Sequence, residues 1–84
     1  MDQAQLLNEV SEVSERIAEH RLDAEVRFKC FEDGDIAVTF THFHNDYPQR
    51  NSSINLYTFY NEDKLRAWHY QLDKVFEGGL LDEL

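Results

Sequence analysis

The chain has 84 residues, with seventeen acidic against eight basic side chains and a net charge of -9 at pH 7. That length encloses one small domain, the 42% apolar content is enough to fold it, and the acidity disfavours direct contact with nucleic acid or anionic lipid. A single cysteine excludes an intrachain disulfide framework and a cysteine-based zinc site, and no apolar run is long enough to span a membrane.

The opening Met1-Asp2-Gln3-Ala4-Gln5 lacks the basic-then-apolar order of a signal peptide, so a cytoplasmic location is expected. Gln3 to Glu19 reads as a helix. Its Leu6, Val10, Val13 and Ile17 fall within an arc of about 60° at helical spacing. The period then changes to two. Ala24, Val26, Phe28 and Cys30 alternate with Glu25, Arg27 and Lys29, giving a first strand with Cys30 as a packed thiol. Ile36, Val38, Phe40 and His42 form the second. An odd-length turn, Asp33-Gly34-Asp35, sets Cys30 against Val38 and Phe28 against Phe40, which makes one face apolar on both strands. His44 to Ser52 is a polar loop, and Ser53 to Tyr60 is a third strand.

Asn61 caps a second helix, with Glu62 and Asp63 in its first turn and a stripe of Leu65, Trp68, Leu72, Val75 and Phe76. Glu62 is placed to pair with Arg66. Gly78-Gly79 ends the helix, and residues 78–84 form a short tail. The chain therefore reads as one acidic α+β domain over residues 1–84. The expected fold is an α-β-β-β-α two-layer sandwich, a three-stranded antiparallel sheet with two helices on one face. Its expected core is Leu6, Val10, Val13, Ile17, Phe28, Val38, Phe40, Leu65, Trp68 and Leu72.

Chemistry-bearing clusters are few. His42, His44 and Asp46 share a strand-like spacing that suits a metal, but a further ligand would have to come from His20 or His69, on helices whose distance the sequence does not fix. No phosphate-binding glycine loop, nucleophile elbow or zincin motif is present. No catalytic residue, metal or cofactor is therefore expected. The element order resembles that of the double-stranded-RNA-binding domain. That family grips phosphate with lysines at the start of its last helix, where this chain has Asn61-Glu62-Asp63-Lys64, so direct nucleic-acid binding is not expected.

Charge is unevenly spread. Residues 1–25 hold seven acids and two bases, a net of -5, whereas residues 26–60 carry a net of only -1. Glu9, Glu12, Glu15 and Glu19 read as a line on the first helix, opposite its apolar stripe, with Arg16 among them. A row of carboxylates three or four residues apart, roughly 4.5–6 Å along the axis, mimics a phosphate backbone. Small anti-restriction and anti-CRISPR inhibitors that occupy the basic groove of a nucleic-acid-binding protein are similar in size and charge. The second reading is a small regulatory or adaptor domain that dimerises, or binds a partner protein, through its sheet. Phe31, Phe43, Tyr57 and Phe59 fall on the sheet face away from the expected core, and Tyr57 and Phe59 are the candidate contacts there.

Overall fold

The computed structural model describes residues 1–82. Five elements follow the expected order: α1 (Gln3–His20), β1 (Ala24–Cys30), β2 (Ile36–Phe43), β3 (Asn51–Tyr57) and α2 (Glu62–Phe76). Local chemistry sets their ends. Asp2 accepts from the Gln5 amide, and the Gln5 side chain accepts in return from the Asp2 amide, a closed capping box at the start of α1. Asn61 accepts from the Lys64 amide at the start of α2. Asp63, rather than the expected Glu62, takes the Arg66 guanidinium, one turn away at i,i+3.

The three strands form one antiparallel sheet in the order β1-β2-β3. The β1–β2 turn is odd-numbered, but it lies one residue earlier than expected. The Gly34 amide donates to the Phe31 carbonyl at 3.0 Å, and the Phe31 amide donates to the Asp35 carbonyl at 2.8 Å. The turn is thus Glu32-Asp33-Gly34, with Gly34 at φ +92°, where a side chain would be strained. The register slips by two residues, pairing Cys30 with Ile36, Phe28 with Val38 and Val26 with Phe40. A slip of two preserves the faces, so apolar still meets apolar. β3 starts two residues before the expected Ser53 and stops at Tyr57. There Thr58 and Phe59 turn the chain, and the Tyr60 amide donates back to the Tyr57 carbonyl at 3.0 Å.

One cluster makes the core. Ile36, Val38 and Phe40 of β2 and Leu56 of β3 pack with Leu6 and Val13 of α1 and with Trp68, Leu72, Val75 and Phe76 of α2. Val10, Ile17 and Leu65 pack against it half-buried. Two expected core residues do not belong. Phe28 is 56% exposed, and Cys30 is exposed. The cause is the path of α1. Met1, two residues before it, donates from the N-terminal ammonium to the Thr58 carbonyl beyond β3, while its last turn leads directly into β1. The helix thus crosses the sheet obliquely, and its cover runs out along β1: Ala24 and Val26 are half-buried, Phe28 and Cys30 are not.

The tail is held down as far as it is described. Leu81 is buried and donates its amide to the Tyr47 hydroxyl at 2.8 Å. Asp82 exchanges two hydrogen bonds with Gln71 and pairs with Lys74. Glu83 and Leu84, the last residues of the expected tail, lie outside the described residues. Among those residues no helix is long and apolar enough to cross a membrane.

Candidate interaction surfaces

The line of glutamates is shorter than the sequence suggested. Glu9 is buried, and its Oε1 accepts from the Trp68 indole Nε1–H and meets His69 Nε2, both at 2.9 Å. It anchors α2 to α1 and is not free for a partner. At helical spacing Glu9 sits only about 70° from the centre of the apolar stripe, and Arg16 about 90° away on the same flank. The second helix packs along that flank. Arg16 reaches Asp73 at 3.0 Å and lies over the Phe76 ring at 4.2 Å, so its charge is spent at the helix seam. Glu12, Glu15 and Glu19 remain exposed. They form a shorter line, but one no longer interrupted by a cation.

The sheet face away from the core cluster carries Glu25, Arg27 and Lys29 on β1, Ala37, Thr39 and Thr41 on β2, and Ser53, Asn55 and Tyr57 on β3. Its centre is a polar ladder. The Thr39 hydroxyl donates to Asn55 Oδ1, and the Thr41 and Ser53 hydroxyls pair, each at 2.7 Å. Its aromatic residues, Phe43 apart, gather at one end. Tyr57 and Phe59 stack at 4.9 Å with planes 14° apart, although Phe59 sits on a turn and not in the expected strand. Tyr60 meets both edge-on, at 5.0 and 5.4 Å. Phe31 lines the same shallow depression with Asp33 and Asp35, and Lys29 Nζ lies 5.4 Å from its ring centre. Phe43 is at the far end of β2.

Neither the described part of the tail nor the long loop covers this cluster. Leu81 and Asp82 dock against Tyr47, Gln71 and Lys74, and residues 44–50 leave β2 at the end opposite Tyr57. Phe59 is 67% exposed and Phe31 40%.

Comparison with protein-family models, with curated proteins and with solved structures finds no match.

The sequence reading missed Tyr60. Its ring fixes Tyr57 and Phe59 from the side, and the run Tyr57-Thr58-Phe59-Tyr60 was the available signal. It also missed Tyr47, which organises the histidine cluster. Tyr47 accepts from the Leu81 amide and contacts His42 Nδ1 at 2.8 Å. Either the Tyr47 hydroxyl or the His42 ring N–H donates in that contact, according to the histidine tautomer. Burial lowers the His42 pKa from its ordinary 6.5, and neighbouring His44 adds to this, against a smaller opposing pull from Asp23. Burial likewise raises the Tyr47 pKa above 10.0. His44 turns to Asp46 instead, accepting its amide at 3.1 Å. Among the described residues no group of three or more His, Cys, Asp or Glu side chains converges as a metal site. His42 thus serves the packing between β2, the loop and the tail.

Proposed function

We propose that the protein is a non-enzymatic, cytoplasmic binding domain that engages another protein through the aromatic end of its outer sheet face. The uncovered stack of Tyr57 and Phe59 carries this reading. Interface anchors are enriched in aromatic residues held rigid before binding, because little side-chain entropy is then lost on association. Tyr60 supplies that rigidity here, and the flanking Lys29 and Asp35 offer a polar rim.

A second reading has its own support. Glu12, Glu15 and Glu19 form an acid row that suits the basic groove of a nucleic-acid-binding protein, as in anti-restriction and anti-CRISPR inhibitors. Diversion of Arg16 to Asp73 favours it, since that leaves the row uncompensated.

Capture from cells of the source organism separates the two. Three baits are used: the parent, Tyr57→Ala with Phe59→Ala, and Glu12→Gln with Glu15→Gln and Glu19→Gln. The proposal expects a partner held by the parent and by the triple Gln variant, and lost by the aromatic pair. Loss with the triple Gln variant alone transfers the function to the helix.

A further inference from the structure

The free edge of β1 carries a charge order that fits a second copy of itself. The β1–β2 ladder continues to the Asp23 carbonyl, which accepts from the Phe43 amide at 2.9 Å, and to the Phe31 amide at the other end. Hydrogen-bonded pairs alternate along an antiparallel ladder. Asp23, Glu25, Arg27, Lys29 and Phe31 therefore spend their backbone groups on β2. The N–H and C=O groups of Ala24, Val26, Phe28 and Cys30 point to the open edge, and no backbone or side-chain hydrogen bond among the described residues reaches them there. Such an edge is a template for another strand unless it is blocked.

On the outer face this strand and the residue before it read Asp23, Glu25, Arg27, Lys29: two acids, then two bases, with Glu25 and Arg27 3.5 Å apart within the chain and both exposed. An antiparallel copy reverses that order. With Val26 opposite Val26 of the second copy, Glu25 faces Arg27 of that copy and Asp23 faces its Lys29, each pair occurring twice about the two-fold axis. The core-side residues meet as Val26 on Val26 and Ala24 on Phe28, which shelters the ring that α1 leaves bare. The same register joins the residues whose backbone groups are free. Moving it by two residues in one direction sets Arg27 against Arg27, and in the other Glu25 against Glu25. Like charges directly opposite are destabilising, so the pattern selects one register. The other edge, β3, has no charged side chain and sets no such preference.

We infer that the protein forms a two-fold dimer by antiparallel pairing of β1 with β1, making one continuous six-stranded sheet. Both outer faces then lie on the same side, with the two Tyr57–Phe59 clusters at opposite edges of that face. This goes beyond partner binding at the aromatic end and does not depend on it, since it rests on the edge alone. The contact is one strand wide, and small interfaces are weak, so the dimer belongs to the micromolar range.

Sedimentation equilibrium of the parent, Arg27→Glu, Glu25→Arg and an equimolar mixture of the two variants tests it. Both substitutions are on exposed side chains, and circular dichroism checks that each variant folds. The parent is expected to move from the 10.0 kDa monomer toward twice that mass as concentration rises. Each variant alone sets like charges opposite one another twice and is expected to weaken the dimer by about tenfold or more. The mixture restores every pair as opposite charges and is expected to dimerise like the parent. Should a single variant fail to fold, the chain carrying both substitutions restores the pairing within one sequence and is expected to dimerise. A parent that stays monomeric into the millimolar range overturns the inference. So does a parent dimer that ignores both charge reversals, or one lost only on Tyr57→Ala with Phe59→Ala.

Discussion

Glu9 does two jobs for one carboxylate. It satisfies the buried Trp68 indole N–H and meets His69, so it stitches α2 to α1. Replacing it by Ala strands the indole donor, and leaving a buried donor unpaired costs about 1–3 kcal/mol. Glu12→Gln on the exposed side of the same helix is expected to stay within about 0.5 kcal/mol of the parent. Urea denaturation of the two variants side by side reads the difference; equal midpoints mean that Glu9 is not the anchor. His42 gives a pH signature. Its pKa in the folded protein lies below the unfolded 6.5, so the unfolded chain takes up the proton first as pH falls. The contribution is fully present above the unfolded value. It is lost as pH falls through that value and levels off below the folded one. Urea midpoints measured between about pH 8 and 5 are therefore expected to decline, and His42→Gln is expected to flatten its share of that decline. An unchanged slope in the variant assigns the pH dependence to other groups.

Among the elements, two phenylalanines of the same sheet separate centre from edge. Phe40 is fully buried on the middle strand and touches Phe76 at 6.1 Å between ring centres. Phe40→Ala is expected to cost about 3–5 kcal/mol, a large part of a small domain's stability. Phe28→Ala on the edge strand is expected to cost less than half as much, about 1–2 kcal/mol at most, because more than half of the residue stays in water in the monomer. Thermal melts at low protein concentration check both; a large loss from Phe28→Ala means that α1 covers β1 further than described. Here the limits of sequence reading have a physical origin. Period and caps are local properties, and they gave the element order, the bounds of β1 and the Asn61 cap. Strand parity was legible because a one-residue slip inverts a face, whereas a two-residue slip leaves the apolar pattern unchanged and so escaped notice. The burial of Phe28 and Cys30 depends on where α1 crosses the sheet, and the fate of Glu9 on which flank of α1 meets α2. Alternation and helical phase contain neither, since both are set by contacts between residues some sixty apart in sequence, such as Glu9 with Trp68. Tyr57 was placed on the right face because it is a strand residue. Phe59 reached the same place by a turn that alternation does not describe.

On the scale of the whole molecule, charge and exposed aromatic surface are segregated. The first 25 residues hold a net of -5, and the segment from 26 to 60 a net of -1. The acid surface steers association, whereas a rigid aromatic cluster holds what has arrived, and the two act on different rates. Tyr57→Ala with Phe59→Ala is thus expected to raise the partner's dissociation rate, with a loss on the order of 2 kcal/mol or more if the pair is a hot spot. Glu12→Gln with Glu15→Gln and Glu19→Gln is expected to slow association modestly at low salt and to match the parent at high salt. Binding kinetics of the captured partner with these two variants and the parent, at low and high salt, test the aromatic face most directly. The account predicts rapid dissociation of the aromatic variant at both salt concentrations, with the triple Gln variant still bound. An aromatic variant that dissociates like the parent, beside a triple Gln variant that no longer binds at low salt, contradicts it.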